Sequence, residues 1–194
     1  CEWLGCGLSS DPKSLDDLQM MSLGQDYVAL LSGMGWSDVN VVGHSTGGII
    51  ALCAMSLKPE LFKRALLLDP VGAQGIELAP EMLEAFAKMK VDREYCATIM
   101  ASTIQGIDTE SPLFQKIVDD AFSVADLNWE GIPKALSHLD VRKDIKKLEQ
   151  PVLVLHGEHD PILPIEASRD LSRSVPSGVF QMLDGQGHSC NIEN

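Results

Sequence analysis

Positive charge is scarce in this sequence of 194 residues. It contains 15 Lys and Arg against 28 Asp and Glu, which gives a formal net charge of −13 at pH 7. A surface this acidic repels phosphate backbones and anionic lipid headgroups, so we expect neither nucleic acid nor a membrane as a partner. Long hydrophobic runs are missing too, since no apolar stretch approaches the ~20 residues that a helix needs to cross a bilayer.

Cysteine is also sparse. Five cysteines are present, an odd number without any C-x-x-C pair, at Cys1, Cys6, Cys53, Cys96 and Cys190. This pattern argues against a disulfide framework and favours a reducing, cytoplasmic setting. Hydrophobic residues make up 45% and charged residues 22% of the chain. That composition is typical of a folded globular domain, so the chain is predicted to have one sizeable core.

Short apolar segments alternate with helical segments over most of the chain. The apolar segments predict four strands, at Val39–Gly43, Ala65–Leu68, Val152–Leu155 and Val179–Leu183. Helices are predicted at Thr46–Leu57 and Ile165–Ser174, and an earlier helix should begin at an N-cap on Ser14 and end near Gly33. The alternation predicts an α/β fold with a mostly parallel sheet whose faces are covered by helices.

Residues 78–148 follow a different pattern. They show helical periodicity and no convincing strand, with apolar residues at i, i+4 and i+7 in Met82, Phe86 and Met89. An all-helical insertion is therefore predicted between two parts of the α/β core, residues 1–77 and 149–194.

The strongest chemical signal is the G-x-S-x-G sequence at Gly43–Gly47. It lies directly after a predicted strand and directly before a predicted helix, the context of a nucleophile elbow. Because the chain turns tightly there, side chains in place of Gly43 and Gly47 are expected to clash. Ser45 would then stand at the carboxyl edge of the sheet, near the positive end of the following helix. The alternative is a glycine-rich turn with an incidental serine.

A serine nucleophile needs a base, and the base needs a group that orients it. Asp160 and His188 each follow a predicted strand, so both belong to the sheet edge that should hold Ser45. The chain order Ser, Asp, His is the order found with nucleophile elbows. Taken singly, Asp160 could be a turn residue and His188 a surface-loop histidine. Asp69, which follows the strand at Ala65–Leu68, is the alternative acid.

The sequence resembles the α/β-hydrolase family, in its compact lid-bearing serine-hydrolase branch. The resemblance rests on the elbow at Gly43–Gly48, on H-G-x-x-D-P at His156–Pro161 and on G-x-G-H at Gly185–His188. A looser match at Glu2–Ser9 corresponds to a family loop that follows the fourth strand. On this basis, the resemblance implies that the chain is an internal fragment beginning after the family's first strands.

The resemblance also implies roles for individual residues. Ser45, Asp160 and His188 would form a catalytic triad, the backbone N–H of Thr46 would stabilise an oxyanion, and the insertion would be a lid. Residues expected to contact substrate are His44, Met82, Phe86, Phe114 and Trp129. The implied activity is hydrolysis of a small, largely apolar ester, lactone or related carbonyl compound, with no cofactor and no metal.

Several alternatives remain at this stage. Carbon–carbon bond hydrolases and perhydrolases use the same triad, and a ligand-binding protein could keep the fold without turnover. His156, His159 and Asp160 are spaced closely enough to suggest a metal, although no further ligand cluster accompanies them. Cys190 is a second possible nucleophile, but a small, half-buried thiol is the simpler interpretation.

Overall fold

The computed structural model describes residues 1–193, and Asn194 at the end of the predicted core lies outside the described residues. Its centre is a four-stranded sheet built from β1 (Val39–His44), β2 (Phe62–Leu68), β3 (Val152–Gly157) and β4 (Gly178–Leu183). The strands run parallel in the order β1-β2-β3-β4. This confirms the predicted α/β fold with its parallel sheet.

Within residues 1–193, eight α-helices connect and cover the strands. Their bounds are α1 Met20–Gly33, α2 Thr46–Leu57, α3 Pro80–Met89, α4 Arg93–Ser102, α5 Pro112–Phe122, α6 Asn128–Ser137, α7 Arg142–Ile145 and α8 Ile165–Ser174. Helices α3 to α7 all fall between β2 and β3, so residues 78–148 are here called the helical insertion. Among residues 1–193, no helix is both long and apolar enough to cross a membrane.

The first helix is shorter than the sequence predicts. Residues Leu15–Leu18 form a 3-10 turn, and Gln19 is extended at ψ 141°, so α1 begins only at Met20. The Asp17 carboxylate accepts hydrogen bonds from the backbone N–H groups of Lys13 and Ser14 at 2.8 and 3.0 Å. Asp17 therefore caps the 3-10 turn, and the sequence signal at Ser14 marks that turn rather than the start of α1.

Strand β2 is longer than predicted. It begins at Phe62 because Lys63 and Arg64 are extended despite their charge, with both side chains exposed. The Arg64 guanidinium donates to the side-chain oxygen of Asn40 on β1 at 2.8 Å. Polar residues at the start of the strand thus pair across the sheet in water, which an apolar pattern does not reveal.

The main core lies between α2 and the sheet. Five residues of α2 are 0% exposed: Ile49, Ile50, Leu52, Cys53 and Met55. The helical insertion contains a second, smaller cluster made of Ile104, Phe114 and Val118. Since α2 begins at Thr46, directly after Ser45, its burial fixes the carboxyl edge of the sheet on which the candidate site is built.

Candidate active site

Ser45 lies in a strained turn between β1 and α2. Its backbone angles are φ 52° and ψ −122°, a left-handed conformation that side-chain-bearing residues rarely adopt. A Cβ at Gly43 would lie 2.5 Å from the Gly47 carbonyl oxygen, and one at Gly48 would lie 2.8 Å from Pro70 Cβ. A Cβ at Gly47 would meet nothing within 4 Å. Close packing thus leaves no space for a side chain at Gly43 and Gly48. Among the described residues nothing would clash with a side chain at Gly47, so the prediction for that position is wrong.

Ser45, His188 and Asp160 are hydrogen-bonded in series. His188 Nε2 lies 3.1 Å from Ser45 Oγ, and His188 Nδ1 lies 2.8 Å from an Asp160 carboxylate oxygen. An ionised carboxylate only accepts, so Nδ1 carries the proton and Nε2 is free to accept from the serine hydroxyl. The structure therefore brings together the three residues that the sequence selected, in the geometry of a nucleophile, a base and an orienting acid.

Asp160 is buried but well satisfied. Its second carboxylate oxygen accepts from the backbone N–H groups of Ile162 and Leu163 at 2.7 and 3.0 Å. Burial disfavours the charged form, but the hydrogen bond from His188 and these two backbone bonds outweigh it, so the pKa of Asp160 falls below its usual value. Asp160 is thus held as an anion facing His188.

Asp69, the alternative acid, does not contact His188. Its carboxylate accepts from the Gly157 N–H at 2.7 Å and from the Cys190 thiol at 3.2 Å. Burial raises the pKa of Asp69, and burial together with the bond to Asp69 raises the pKa of Cys190 to about 12. Cys190 therefore stays a protonated, half-buried thiol, which argues against a second nucleophile.

The carboxylates of Asp69 and Asp160 lie close to His156, and ligand atoms of the three residues lie within 4.8 Å of one another. Each is engaged within the protein, however. His156 Nδ1 pairs with Ser168 Oγ at 2.8 Å, and its Nε2 lies 3.2 Å from the Leu163 carbonyl oxygen. We interpret the group as a buried hydrogen-bond network that supports the Asp160 loop. His159, the third residue of the metal hypothesis, is exposed and does not belong to the group.

The N-terminus of α2 faces an apolar cavity of about 260 Å³. Thr46 lines it, and as the first residue of α2 its backbone N–H has no acceptor within the helix. Phe86 and Trp129, two of the predicted substrate contacts, line the same cavity. None of the described residues around it carries a charge. A larger cleft of about 520 Å³ beside α8 touches none of the predicted site residues.

The other predicted contacts lie elsewhere. Phe114 is 2% exposed and belongs to the core cluster of the helical insertion, so it does not line the cavity. Met82 lies on the surface of α3, 37% exposed. His44 contacts His188 instead, as its ring nitrogen Nε2 lies 2.8 Å from the His188 carbonyl oxygen. Helical periodicity selected Phe114 and Met82, but it cannot tell a core face from a cavity face.

Sequence reasoning also missed cavity residues. Trp3, Met100 and Ile132 line the cavity, and they come from the first loop, α4 and α6. No short motif marks any of them, because their position depends on how the helical insertion packs over the elbow.

Comparison with known proteins agrees with this architecture. The profile of a family described as alpha/beta hydrolase fold matches residues 2–95, and that of a family described as TAP-like protein matches residues 127–194. The chain belongs to the α/β-hydrolase family. The first match contains Ser45, and the second contains Asp160 and His188.

Relatives of this α/β-hydrolase carry several hydrolase names. It is 26% identical to a 2-hydroxymuconate semialdehyde hydrolase of Pseudomonas putida, covering 100% of this chain and 70% of the relative. It is 24% identical to 3-oxoadipate enol-lactonase 2 of Acinetobacter baylyi, covering 97% and 70%. The names of these relatives support a hydrolase activity for this chain.

Solved structures repeat the fold. An esterase from Exiguobacterium antarcticum superimposes with a TM-score of 0.86 at 17% identity, covering 98% of this chain and 74% of that one. An enol-lactonase from Burkholderia xenovorans gives a TM-score of 0.83 at 20% identity, covering 98% and 73%. At these identities the similarity shows the fold of this α/β-hydrolase alone.

Proposed function

We propose that this protein is a serine hydrolase that cleaves a small, largely apolar ester, lactone or related carbonyl compound through a covalent acyl-enzyme. The observation that carries the proposal is His188, whose two ring nitrogens lie 3.1 Å from Ser45 Oγ and 2.8 Å from Asp160. A nucleophile, base and orienting acid in series are what acyl transfer by serine requires.

Each residue has one task in this mechanism. Ser45 Oγ attacks the substrate carbonyl while His188 Nε2 takes its proton, and the Asp160 anion stabilises the imidazolium that forms. His188 then gives the proton to the leaving group, which departs and leaves the acyl group on Ser45. In the second half, water attacks the acyl carbonyl while His188 takes its proton. His188 returns that proton to Ser45 Oγ as the acid leaves. The Thr46 N–H would stabilise the oxyanion, a contribution of about 3–4 kcal/mol for one such donor.

The cavity supports the substrate class. It adjoins Thr46, its walls include Phe86, Trp129 and Met89, and none of the lining residues within 1–193 is charged. Burying an unpaired carboxylate in such a site is costly, so the acyl group should be uncharged and apolar. In this scheme residues 78–148 act as the lid that closes the cavity.

A fluorophosphonate probe tests the proposal directly. The purified protein should be labelled at Ser45, the Ser45→Ala variant should not be labelled, and Asp160→Asn should hydrolyse p-nitrophenyl butyrate on the order of 10⁴-fold more slowly. Asp69→Asn is the matched control, because Asp69 lies on the same sheet edge without touching His188. Near-normal turnover by Ser45→Ala would end the serine-hydrolase proposal.

Two other functions deserve a test. A carbon–carbon bond hydrolase is suggested by the relative named 2-hydroxymuconate semialdehyde hydrolase. If that were the activity, the protein would cleave 2-hydroxymuconate semialdehyde faster than any p-nitrophenyl ester. A binding protein without turnover would take up apolar esters but leave Ser45 unlabelled by the probe.

A further inference from the structure

Glu193 connects the loop of His188 to the helical insertion. Its carboxylate accepts three backbone hydrogen bonds, from Gly187 at 2.6 Å, from Ser189 at 3.1 Å and from Gln105 at 2.9 Å. Gly187 and Ser189 are the two neighbours of His188 in the chain, whereas Gln105 follows α4 in the insertion. One carboxylate thus holds the backbone on both sides of the candidate base and the loop that follows α4 in the insertion.

Packing next to Glu193 supports the same connection. Ile192 packs against the core cluster of the insertion formed by Ile104, Phe114 and Val118. A Cβ at Gly187 would lie 2.8 Å from a Glu193 carboxylate oxygen, so a side chain there would displace that carboxylate. The segment after His188 is therefore docked on the insertion by an apolar contact and by charge-assisted hydrogen bonds.

We propose that Glu193 is a positioning residue that couples the helical insertion to the alignment of His188 with Ser45. This role rests on the proposed serine-hydrolase function. When the insertion sits in the arrangement described, Glu193 fixes the backbone on both sides of His188 and so sets where its Nε2 points. If the insertion moves, Gln105 moves with it, and the base loses its alignment. The insertion then covers the cavity and aligns His188 with Ser45 in the same movement.

Three variants test this role. Glu193→Ala removes both acceptor oxygens and with them all three hydrogen bonds, whereas Glu193→Gln keeps one oxygen that can accept from Gln105 and Ser189. Glu158→Ala is the control, because the Glu158 carboxylate also accepts a backbone hydrogen bond near His188, from the Gly185 N–H at 2.9 Å. Glu158 has no described hydrogen bond to the insertion.

The expected result separates positioning from folding. Glu193→Ala should lower kcat for p-nitrophenyl butyrate and the rate of fluorophosphonate labelling by at least about tenfold, with KM little changed, since small displacements of catalytic groups have effects of this size. Amide hydrogen exchange should quicken both at residues 101–107 and at residues 187–189. Glu193→Gln should lie between wild type and Glu193→Ala, and Glu158→Ala should leave kcat and exchange at 101–107 unchanged.

Each contrary result has a distinct meaning. If wild-type Ser45 is labelled and a folded Glu193→Ala or Glu193→Gln variant keeps its labelling rate and kcat, the coupling is overturned and the serine hydrolase stands. If exchange quickens only at 187–189, the link to the insertion is overturned. If wild-type Ser45 is not labelled, the proposed function fails and the positioning role fails with it.

Discussion

The His44 ring donates a hydrogen bond from Nε2 to the backbone carbonyl oxygen of His188, across 2.8 Å. The two rings also pack against each other, with centroids 5.0 Å apart. Burial lowers the pKa of His44, which favours its neutral form, and the bond to His188 fixes the proton on Nε2. The residue before the nucleophile therefore holds the backbone of the candidate base.

Substitution of His44 should slow turnover without removing the nucleophile. We expect His44→Ala to reduce kcat by between about tenfold and 10²-fold, because His188 loses an anchor on its backbone. His44→Gln should retain more activity, since its amide can donate to the same carbonyl. His138→Ala is the control, because His138 is exposed on the insertion and its ring bonds to Lys134 and Ser137 of helix α6. Equal kcat values for the two alanine variants would contradict the prediction.

Asp160 and Asp69 should affect stability with opposite pH dependence. The pKa of Asp160 lies below the usual 3.8, so its stabilising contribution is present above that pH and is lost as pH falls through the lowered pKa. The pKa of Asp69 lies above 3.8, so ionising it costs stability as pH rises through that range.

Urea denaturation at about pH 3 and about pH 7 can separate the two. The free energy of unfolding lost in Asp160→Asn should be larger at the higher pH. Asp69→Asn should improve relative to wild type as pH rises, because an amide avoids the cost of a buried charge. The same trend in both variants would contradict the prediction that the pKa values of the two carboxyl groups shift in opposite directions.

The cavity should set the preferred acyl length. Trp129→Ala enlarges the space beside Thr46, so kcat/KM for p-nitrophenyl hexanoate relative to acetate should rise by about tenfold, a typical change for an apolar pocket. Met82→Ala should leave the ratio unchanged, since Met82 is on the surface. Phe114→Ala should lower stability by about 3–5 kcal/mol through a core cavity, with the same substrate ratio in the folded fraction. A shifted ratio in Met82→Ala would contradict this assignment.

Strand β1 should make the chain prone to self-association. Among residues 1–193 it pairs only with β2, and Val42 on this edge is 65% exposed. An unprotected apolar edge strand is a template for further strand pairing. Val42→Lys should therefore reduce light scattering of the concentrated 194-residue chain, whereas Val91→Lys should not, although Val91 is 75% exposed, because it lies outside the sheet. Equal benefit from both would assign the effect to charge alone.

The sequence by itself determined the α/β fold and the three residues of the hydrogen-bonded series. Apolar runs mark parallel strands because such strands are buried on both faces. Ser45, Asp160 and His188 were predictable because each lies in the loop or turn at the carboxyl end of a strand, and parallel strands bring their carboxyl ends to one edge. Local chain geometry thus carried the information, and no distant contact had to be known.

Only the tertiary structure decided the rest. Asp69 and Asp160 both follow strands, and the 2.8 Å contact with His188 distinguishes them. Phe114 and Trp129 both lie on amphipathic helices, yet one packs inside the insertion and the other lines the cavity. Glu193 accepts a hydrogen bond from Gln105, which is 88 residues away in the sequence. These outcomes depend on how helices pack against one another, and helical periodicity fixes which residues share a face but not what that face meets.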